Sequence, residues 1–388
     1  MRLMLAISAG EWEGIKHRPH HLMKRSAKSG WTVIYLEPPA TLIGPLKNKK
    51  MLLRWKNWLK GLRKAEDNLY LLSPPPILPF YNKYRFINKI NQYLISRLIK
   101  KALKDFKGVP LDFYSFLPWS VDLIRFLNID KLIYDCVDDH SSFTGLINAE
   151  TVARMEKELM RKADVSFATA RQLMEDRKDW SGNFHLVPNG AEFEHFANII
   201  EEDNSIPADI AEIKHPIAGF YGGIGDWIDI TLLTNVASKI SNVNFVFIGP
   251  VTTNVDKLKS LPNVTFLGVK PYTELPRYIQ QFDTCLVPFK INKLTESVNP
   301  IKLYEYLSAG KPVVATALKE VIQYQEVVEI INNQQEMIDR IYKTLDNKEK
   351  IAEKVLKRQQ VGKDNSWDVR WQLIERQIKL AGTRGEGS

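Results

Sequence analysis

Asn299-Pro300-Ile301-Lys302-Leu303-Tyr304-Glu305-Tyr306-Leu307-Ser308-Ala309-Gly310-Lys311-Pro312 carries its own start and stop. Asn299 is a helix-capping type, and Pro300 suits the first helical position, where a missing N–H costs nothing. Gly310 can take the left-handed conformation that ends a helix, and Pro312 prevents continuation. Val313-Val314-Ala315 then reads as a short buried strand. Lys302 and Glu305 are three residues apart and share a face near the helix N-terminus. Open N–H groups and a partial positive charge at that end suit a phosphate, and Lys302 adds a full charge. A carboxylate such as Glu305 can accept from vicinal hydroxyls like those of ribose. An ordinary capped helix with a solvated Lys–Glu pair accounts for the same residue types.

Outward from this stretch, the second half of the chain alternates strand and helix. Residues 216–221, 245–249, 264–267 and 284–288 read as strands, and Ile230, Leu233, Val236, Ala237 and Ile240 give one helix its apolar face. Gly222-Gly223-Ile224-Gly225 follows the first strand. Its glycines admit a close backbone or ligand, although the spacing falls short of the dinucleotide fingerprint. The first half opens the same way, with a strand at 2–8, a helix starting at Arg18-Pro19-His20 and a strand at 31–36. Such repetition predicts parallel sheets, and 388 residues are too many for one core. The expected division is an N-terminal domain at 1–195, a second domain at 210–364 and a last helix at 365–381. A helix is expected at 119–128 and further helices over 319–358 around a short apolar stretch at 327–331, and 382–388 reads as a disordered tail.

The composition is that of a soluble globular protein, and no run reaches the about 18 apolar residues a spanning helix needs. Cys136 and Cys285 stand far apart without a CxxC, so neither a disulfide framework nor a zinc site is indicated, and a reducing cytoplasm fits. Charge is uneven: residues 1–110 hold 22 Lys and Arg against 6 Asp and Glu, net +16, whereas the whole chain is +9. One lobe is therefore expected to meet a polyanionic surface. Residues 47–64 contain eight basic residues and no acidic one. As a helix they align Leu52, Trp55, Leu59 and Leu62, with Trp58 beside them and Lys56 and Lys60 among the cations. That composition suits a helix lying on anionic lipid; a helix packed on its own domain is the plainer alternative. Nucleic acid is disfavoured, since no nucleic-acid motif accompanies the patch. Residues 86–106 form a second basic amphipathic helix, whose Ile87, Ile90, Leu94, Leu98 and Ala102 read as core-facing. Asp135-Cys136-Val137-Asp138-Asp139-His140 closes a strand, where parallel sheets bind ligands. Helix-capping aspartates are the bland reading, and a metal site lacks a ligand set at fixed spacing.

Glu305-Tyr-Leu-Ser-Ala-Gly-Lys-Pro-Val-Val resembles the donor site of GT-B glycosyltransferases of the family-4-like group. Trp12, Arg18-Pro19-His20, Tyr134 to Asp139 and Pro188-Asn189-Gly190 are similar to a bacterial subgroup that builds teichuronic acid and related surface polysaccharides. The resemblance implies an α/β chain of two Rossmann-like domains with a cleft between them and a last helix returning to the first. It implies a nucleotide-sugar donor, commonly UDP-linked, held by the second domain, a lipid-linked or glycan acceptor held by the first, and no metal or other cofactor. Two features depart from the pattern. Residues 222–238 lack the usual Arg and Lys, and Ser297 stands where many relatives carry a second glutamate.

The expected donor contacts are therefore Gly222, Gly223, Lys290, Ser297, Asn299, Lys302 and Glu305. Asp139 is the first candidate for accepting the acceptor's proton and His20 the second. Arg18, Asp138 and His140 are the acceptor-side candidates. The expected place is the cytoplasm, at the inner face of the membrane. A nucleotide-sugar 2-epimerase of the same fold and a non-catalytic binding scaffold are the competing readings.

Overall fold

The computed structural model describes residues 2–49, 51–143, 145–197, 205–346, 349 and 351–382. They form two compact units, one reaching Pro188 and resuming at Trp371, the other Asn189–Arg370. The tail at 383–388, Lys50 and the whole acidic 198–204 stretch lie outside the described residues.

The first unit contains β1 (Arg2–Ile7), α1 (Arg18–Lys28), β2 (Trp31–Leu36), α2 (Met51–Leu59), β3 (Arg63–Glu66), β4 (Leu69–Leu72) and α3 (Arg85–Ala102). β5 (Leu111–Ser115), β6 (Lys131–Cys136), α4 (Ala149–Lys162), β7 (Val165–Ala168), α5 (Arg171–Arg177) and β8 (Phe184–Leu186) follow. Among the described residues the strands run in the order β3-β4-β2-β1-β5-β6-β7-β8. All pairs are parallel except β3–β4 at the edge. β1 and β2 pair from Arg2↔Trp31 to Ile7↔Leu36 and are buried along nearly their whole length. A sheet covered by helices on both faces demands such continuous apolar strands. Asn68, at φ +57°, closes the two-residue β3–β4 turn in a conformation asparagine tolerates.

Several expectations are corrected here. The basic stretch 47–64 is not one helix: α2 covers Met51–Leu59, and Arg63 and Lys64 belong to β3. Leu62 thus drops out of the apolar stripe. On α2 the outward side chains are Leu52, Leu53, Lys56 and Leu59, while Trp55 and Trp58 are half-buried. The helix expected at 119–128 is two short 3-10 turns, Pro118–Asp122 and Ile124–Phe126. α3 does not bury its expected aliphatic stripe: Ile90 and Leu94 are exposed and Ile87, Leu98 and Ala102 half-buried, while Asn88, Asn91, Gln92, Ile95, Ser96 and Ile99 are buried. The reason lies in its neighbours. Asn88 Nδ2 donates to Trp119 O and to Asp122 Oδ2, both at 2.8 Å, and Asn91 exchanges two 2.9 Å bonds with the Leu78 backbone. Loops with unpaired backbone groups recruited the amide side chains inward.

The second unit contains α6 (Phe193–Ala197), β9 (Ile217–Tyr221), α7 (Ile230–Lys239), β10 (Asn244–Ile248), β11 (Val264–Gly268), β12 (Thr284–Val287) and α8 (Ile301–Ser308). β13 (Val313–Thr316), β14 (Glu329–Ile331), α9 (Gln334–Leu345), α10 (Ala352–Asp364) and α11 (Trp367–Leu380) complete the chain, α11 entering the first unit at Trp371. The short apolar stretch at 327–331, amid the helices expected over 319–358, carries the strand β14. Strand order is β11-β10-β9-β12-β13-β14, all parallel. Counted within the unit this is 3-2-1-4-5-6, the order that reverses direction between β9 and β12. Gly219 on β9 is obligatory, because a Cβ there would sit 2.2 Å from the Phe282 ring.

The second unit starts earlier than its polar leader suggests. Asn189 is bonded to Asn299, Ala191 bridges Ser366, and Phe196 is fully buried in this unit's core. In the first unit, Trp371 Nε1 donates to Ser29 Oγ at 2.7 Å, and its ring meets Trp31 edge-on with centroids 5.8 Å apart.

Candidate functional site

The reversal point of the second sheet gathers the stretch that opened the sequence. α8 ends as expected: Gly310 takes φ +69°, its N–H bonds Leu307 O at 2.9 Å, and Lys311 N–H bonds Tyr306 O at 3.1 Å. Its start differs from expectation. Pro300 is the cap residue itself, and Asn299 does not cap. Asn299 Oδ1 accepts from Asn189 N–H at 2.9 Å, and its Nδ2 donates to the Tyr304 hydroxyl at 2.9 Å. Its side chain is spent on internal bonds and is removed from the donor set. The first amide of α8 to find an acceptor there is Leu303, on Pro300 O at 3.2 Å. The N–H groups of Ile301 and Lys302 are the open donors that a helix start presents.

Lys302 Nζ lies 3.0 Å from Glu305 Oε2 and 4.2 Å from the centre of the Tyr221 ring. Glu305 is buried, 1% exposed. Its carboxylate also accepts from the Tyr221 hydroxyl and, at 3.5 Å, from that of Tyr272. His195 stacks on Tyr272, ring centroids 4.8 Å apart, and closes this aromatic wall. Gly222 adjoins the cation: a Cβ there would stand 3.4 Å from Lys302 Cε, and its φ is +143°. Gly249 allows the approach of the next loop, since a Cβ on it would fall 2.0 Å from Gly222 O. Trp227 covers Gly223 and Gly225, and its carbonyl accepts from Lys290 N–H at 2.8 Å. The Lys290 side chain is exposed on that loop, while Ser297 is buried. The structure therefore brings together Gly222, Lys302, Glu305 and the α8 amides, with Gly223 and Lys290 on adjoining loops. Sequence reasoning missed Tyr221, Tyr272 and His195. Tyr221 was findable, as the last residue of β9 before the glycines; nothing in the sequence ties Tyr272 or His195 to Glu305.

In the first unit the candidates separate into two kinds. Arg18 is buried and partly committed: its Nε donates to Asp135 Oδ2 at 2.8 Å and its Nη1 to Pro188 O at 3.0 Å, while among the described residues its buried Nη2 has no partner. Tyr114 OH donates to the same Asp135 oxygen at 2.9 Å. His20 is likewise committed. His17 N–H donates to its Nδ1 at 3.1 Å, so Nε2 carries the proton and donates to Glu11 O at 2.9 Å. Burial pushes its pKa down to about 4, against the opposing Glu11 bond, with Lys16, His17 and His21 adding to the drop. It pins the loop after β1 and is a poor base. Asp139 accepts from Ser141 Oγ at 2.7 Å, from Ser142 Oγ and from Arg177 Nη2 at 3.0 Å. Burial raises its pKa, but the two serine hydroxyls and Arg177 outweigh this and hold it below the ordinary carboxylate range. Arg177 in turn is anchored to buried Glu156 at 2.9 Å. Asp139 is thus a structural tether. Its neighbour Asp138 is the reverse: burial raises its pKa, His140 lowers it, and among the described residues its carboxylate has no hydrogen-bond partner. His140 Nε2 contacts Phe116 O at 3.2 Å. Asp138 is therefore an unspent carboxylate just past the carboxyl end of β6; among the described residues Asp135 Oδ1, on the strand itself, is also buried without a partner.

Residues 215–347 match the family model described as Glycosyl transferases group 1. The chain is 31% identical over 213 residues to TuaH of Bacillus subtilis (strain 168), described as a candidate teichuronic acid biosynthesis glycosyltransferase. That match covers 51% of this chain and 53% of the relative, about half of each. A solved sucrose-phosphate synthase from Thermosynechococcus elongatus superposes at a TM-score of 0.74 with 16% identity, over 98% of this chain and 99% of its own. A structure described as trehalose-6-phosphate from E. coli, with UDP-2-fluoroglucose bound, superposes at 0.69 with 10% identity, over 98% and 100%. The resemblance read from the residues around Glu305 is shown by these matches, and the fold is GT-B: α/β with two Rossmann-like units.

Proposed function

We propose, for a chain whose residues 215–347 match the Glycosyl transferases group 1 family model, that it moves a sugar from a nucleoside-diphosphate donor to a lipid-linked or polysaccharide acceptor in bacterial surface-glycan synthesis. The observation that carries the reading is Lys302 at the open start of α8, beside Gly222, at the reversal point of a 3-2-1-4-5-6 sheet. Negative charge grows on the leaving diphosphate as the glycosidic bond breaks. Lys302 and the amides of Ile301 and Lys302 are fixed in advance where that charge develops, with Lys290 on the adjoining loop. No metal is required of this arrangement. UDP is the favoured nucleotide because the fold-sharing E. coli structure holds a UDP sugar. Glu305 sets the position of Lys302; a ribose hydroxyl would have to displace the Tyr272 hydroxyl, the longest of its contacts at 3.5 Å.

Asp138 rather than Asp139 takes up the acceptor proton, since its pKa is raised and its carboxylate is unspent. The basic 47–64 stretch brings the first unit to anionic lipid at the inner face of the membrane, where a lipid-linked acceptor resides. Calorimetric titration with UDP, GDP and ADP tests the donor reading. UDP should bind most tightly, and Lys302→Met should weaken it at least tenfold, about the value of one lost charge-assisted contact. Binding of none of the three, or equal binding by Lys302→Met, would overturn it. Donor consumed to an epimerised sugar without any acceptor would favour the epimerase.

A further inference from the structure

α3 is inside out. Its buried side is built of Asn88, Asn91, Gln92 and Ser96 with Ile95 and Ile99. Its outer side presents Phe86 at 64% exposure, Ile90 at 45%, Tyr93 at 49% and Leu94 at 39%. At helical spacing these four fall on one stripe with Lys89, Arg97, Lys100 and Lys101. All four cations are exposed, and among the described residues none of them is in an ion pair. Residues 83–104 contain seven Lys and Arg and no acidic residue. The loop leading into α3 adds to the same end. Tyr84 is exposed, and Phe80 is held at φ +65°, a costly conformation for a bulky side chain, with its ring 38% exposed.

We infer that the outer face of α3 docks on an anionic lipid bilayer. Aromatic and aliphatic side chains flanked by unpaired cations match the interface between acyl chains and anionic headgroups. A second copy of this chain would bring two sets of like charges together, which opposes self-association through this face. The face is also placed to be useful. α3 runs from the end of β4 back to the start of β5, and Asn88 ties its first turns to Trp119, just past the end of β5. Phe86, in the first turn, is therefore on the same edge of the first sheet as Asp138, and the stripe runs from there past Tyr93, whose ring meets that of Phe126 with centroids 5.7 Å apart. A lipid-borne acceptor would present its sugar to that edge. The inference extends the membrane reading of 47–64 to a second, larger surface. Only its purpose rests on the transferase reading; the docking does not.

The test is co-sedimentation of the full chain with vesicles of phosphatidylcholine alone and of phosphatidylcholine with phosphatidylglycerol, with UDP titration run in parallel. The wild type should sediment with the anionic vesicles. F86S/Y93S/L94S should weaken partitioning about a hundredfold, since three large apolar groups lose burial at once. R97Q/K100Q/K101Q should erase the preference for phosphatidylglycerol. All of these side chains are exposed, so circular dichroism should be unchanged. Equal sedimentation of the wild type and F86S/Y93S/L94S would overturn the inference. So would a wild-type dimer that ignores vesicles and falls apart in that variant. Vesicle binding without UDP binding would keep the docking and remove the transferase reading; UDP binding without vesicle binding would do the opposite.

Discussion

Replacing Lys302 by Met removes the cation from a carboxylate that is 1% exposed. At an effective dielectric of about 20, charges 3.0 Å apart attract by about 5 kcal/mol, part of which offsets desolvation of the pair. The lysine side chain keeps 20% exposure, and Tyr221 and Tyr272 still donate to the carboxylate. The expected loss of stability is therefore about 3 kcal/mol, at the low end for a broken buried pair. Glu305→Gln keeps the shape and loses the charge, and should cost about 2 kcal/mol. The double variant should be no worse than Lys302→Met alone, which gives a coupling of about 2 kcal/mol. Urea denaturation of the four proteins without nucleotide measures the cycle. Additivity within about 0.5 kcal/mol would mean that the pair does not act as a unit. A binding arm separates two roles for Glu305. If it acts through Lys302, Glu305→Gln weakens UDP and inorganic pyrophosphate alike. If it grips the ribose, pyrophosphate is untouched, and the positioning role is refuted.

His20 is held neutral, with a folded pKa of about 4 against an ordinary 6.5. Its stabilisation is complete above pH 6.5 and is lost as pH falls from there to about 4, amounting to about 3 kcal/mol. His20→Gln cannot take up that proton, so urea midpoints measured across this window should fall less steeply by one proton; an identical slope would remove His20 as the group responsible. Asp138→Asn should lower transfer by at least about a hundredfold with little change in stability, whereas Asp139→Asn should chiefly destabilise, by about 1–2 kcal/mol, through Arg177. The reverse pattern in a radiolabelled-donor assay would return the base to Asp139. Gly249→Ala places a Cβ 2.0 Å from Gly222 O, so UDP affinity and stability should fall together, by about 3 kcal/mol in stability. Gly30→Ala, also at positive φ (+98°) but with nothing within 4 Å, should cost only the backbone strain, about 1 kcal/mol, in thermal melts.

What the sequence displayed was whatever local chemistry enforces. Gly310 before Pro312 had one way to end α8, and the apolar runs of β1, β2, β9, β10, β12 and β13 had no place but a covered sheet. The pairing of Lys302 with Glu305 was readable because helical spacing alone puts them on one face. The misreadings share a cause of another kind: each side chain was given the role its type prefers, and a distant backbone group claimed it first. Asn299 looked like a cap until Asn189 N–H took its oxygen, and His20 looked like a base until Glu11 O and His17 N–H filled both ring nitrogens. Asp139 looked like the reactive carboxylate until two serines and Arg177 closed around it, leaving Asp138 unspent. α3 is the largest case. A helix hides its aliphatic stripe when water is the alternative, and here the loops at Leu78 and Trp119 needed amide partners more. An unmet backbone carbonyl costs about 1–3 kcal/mol, comparable with hiding one leucine, so two such loops suffice to turn the helix over. The apolar stripe then remains uncovered unless something outside the chain covers it, and the unpaired lysines beside it limit that partner to one that is both oily and negative.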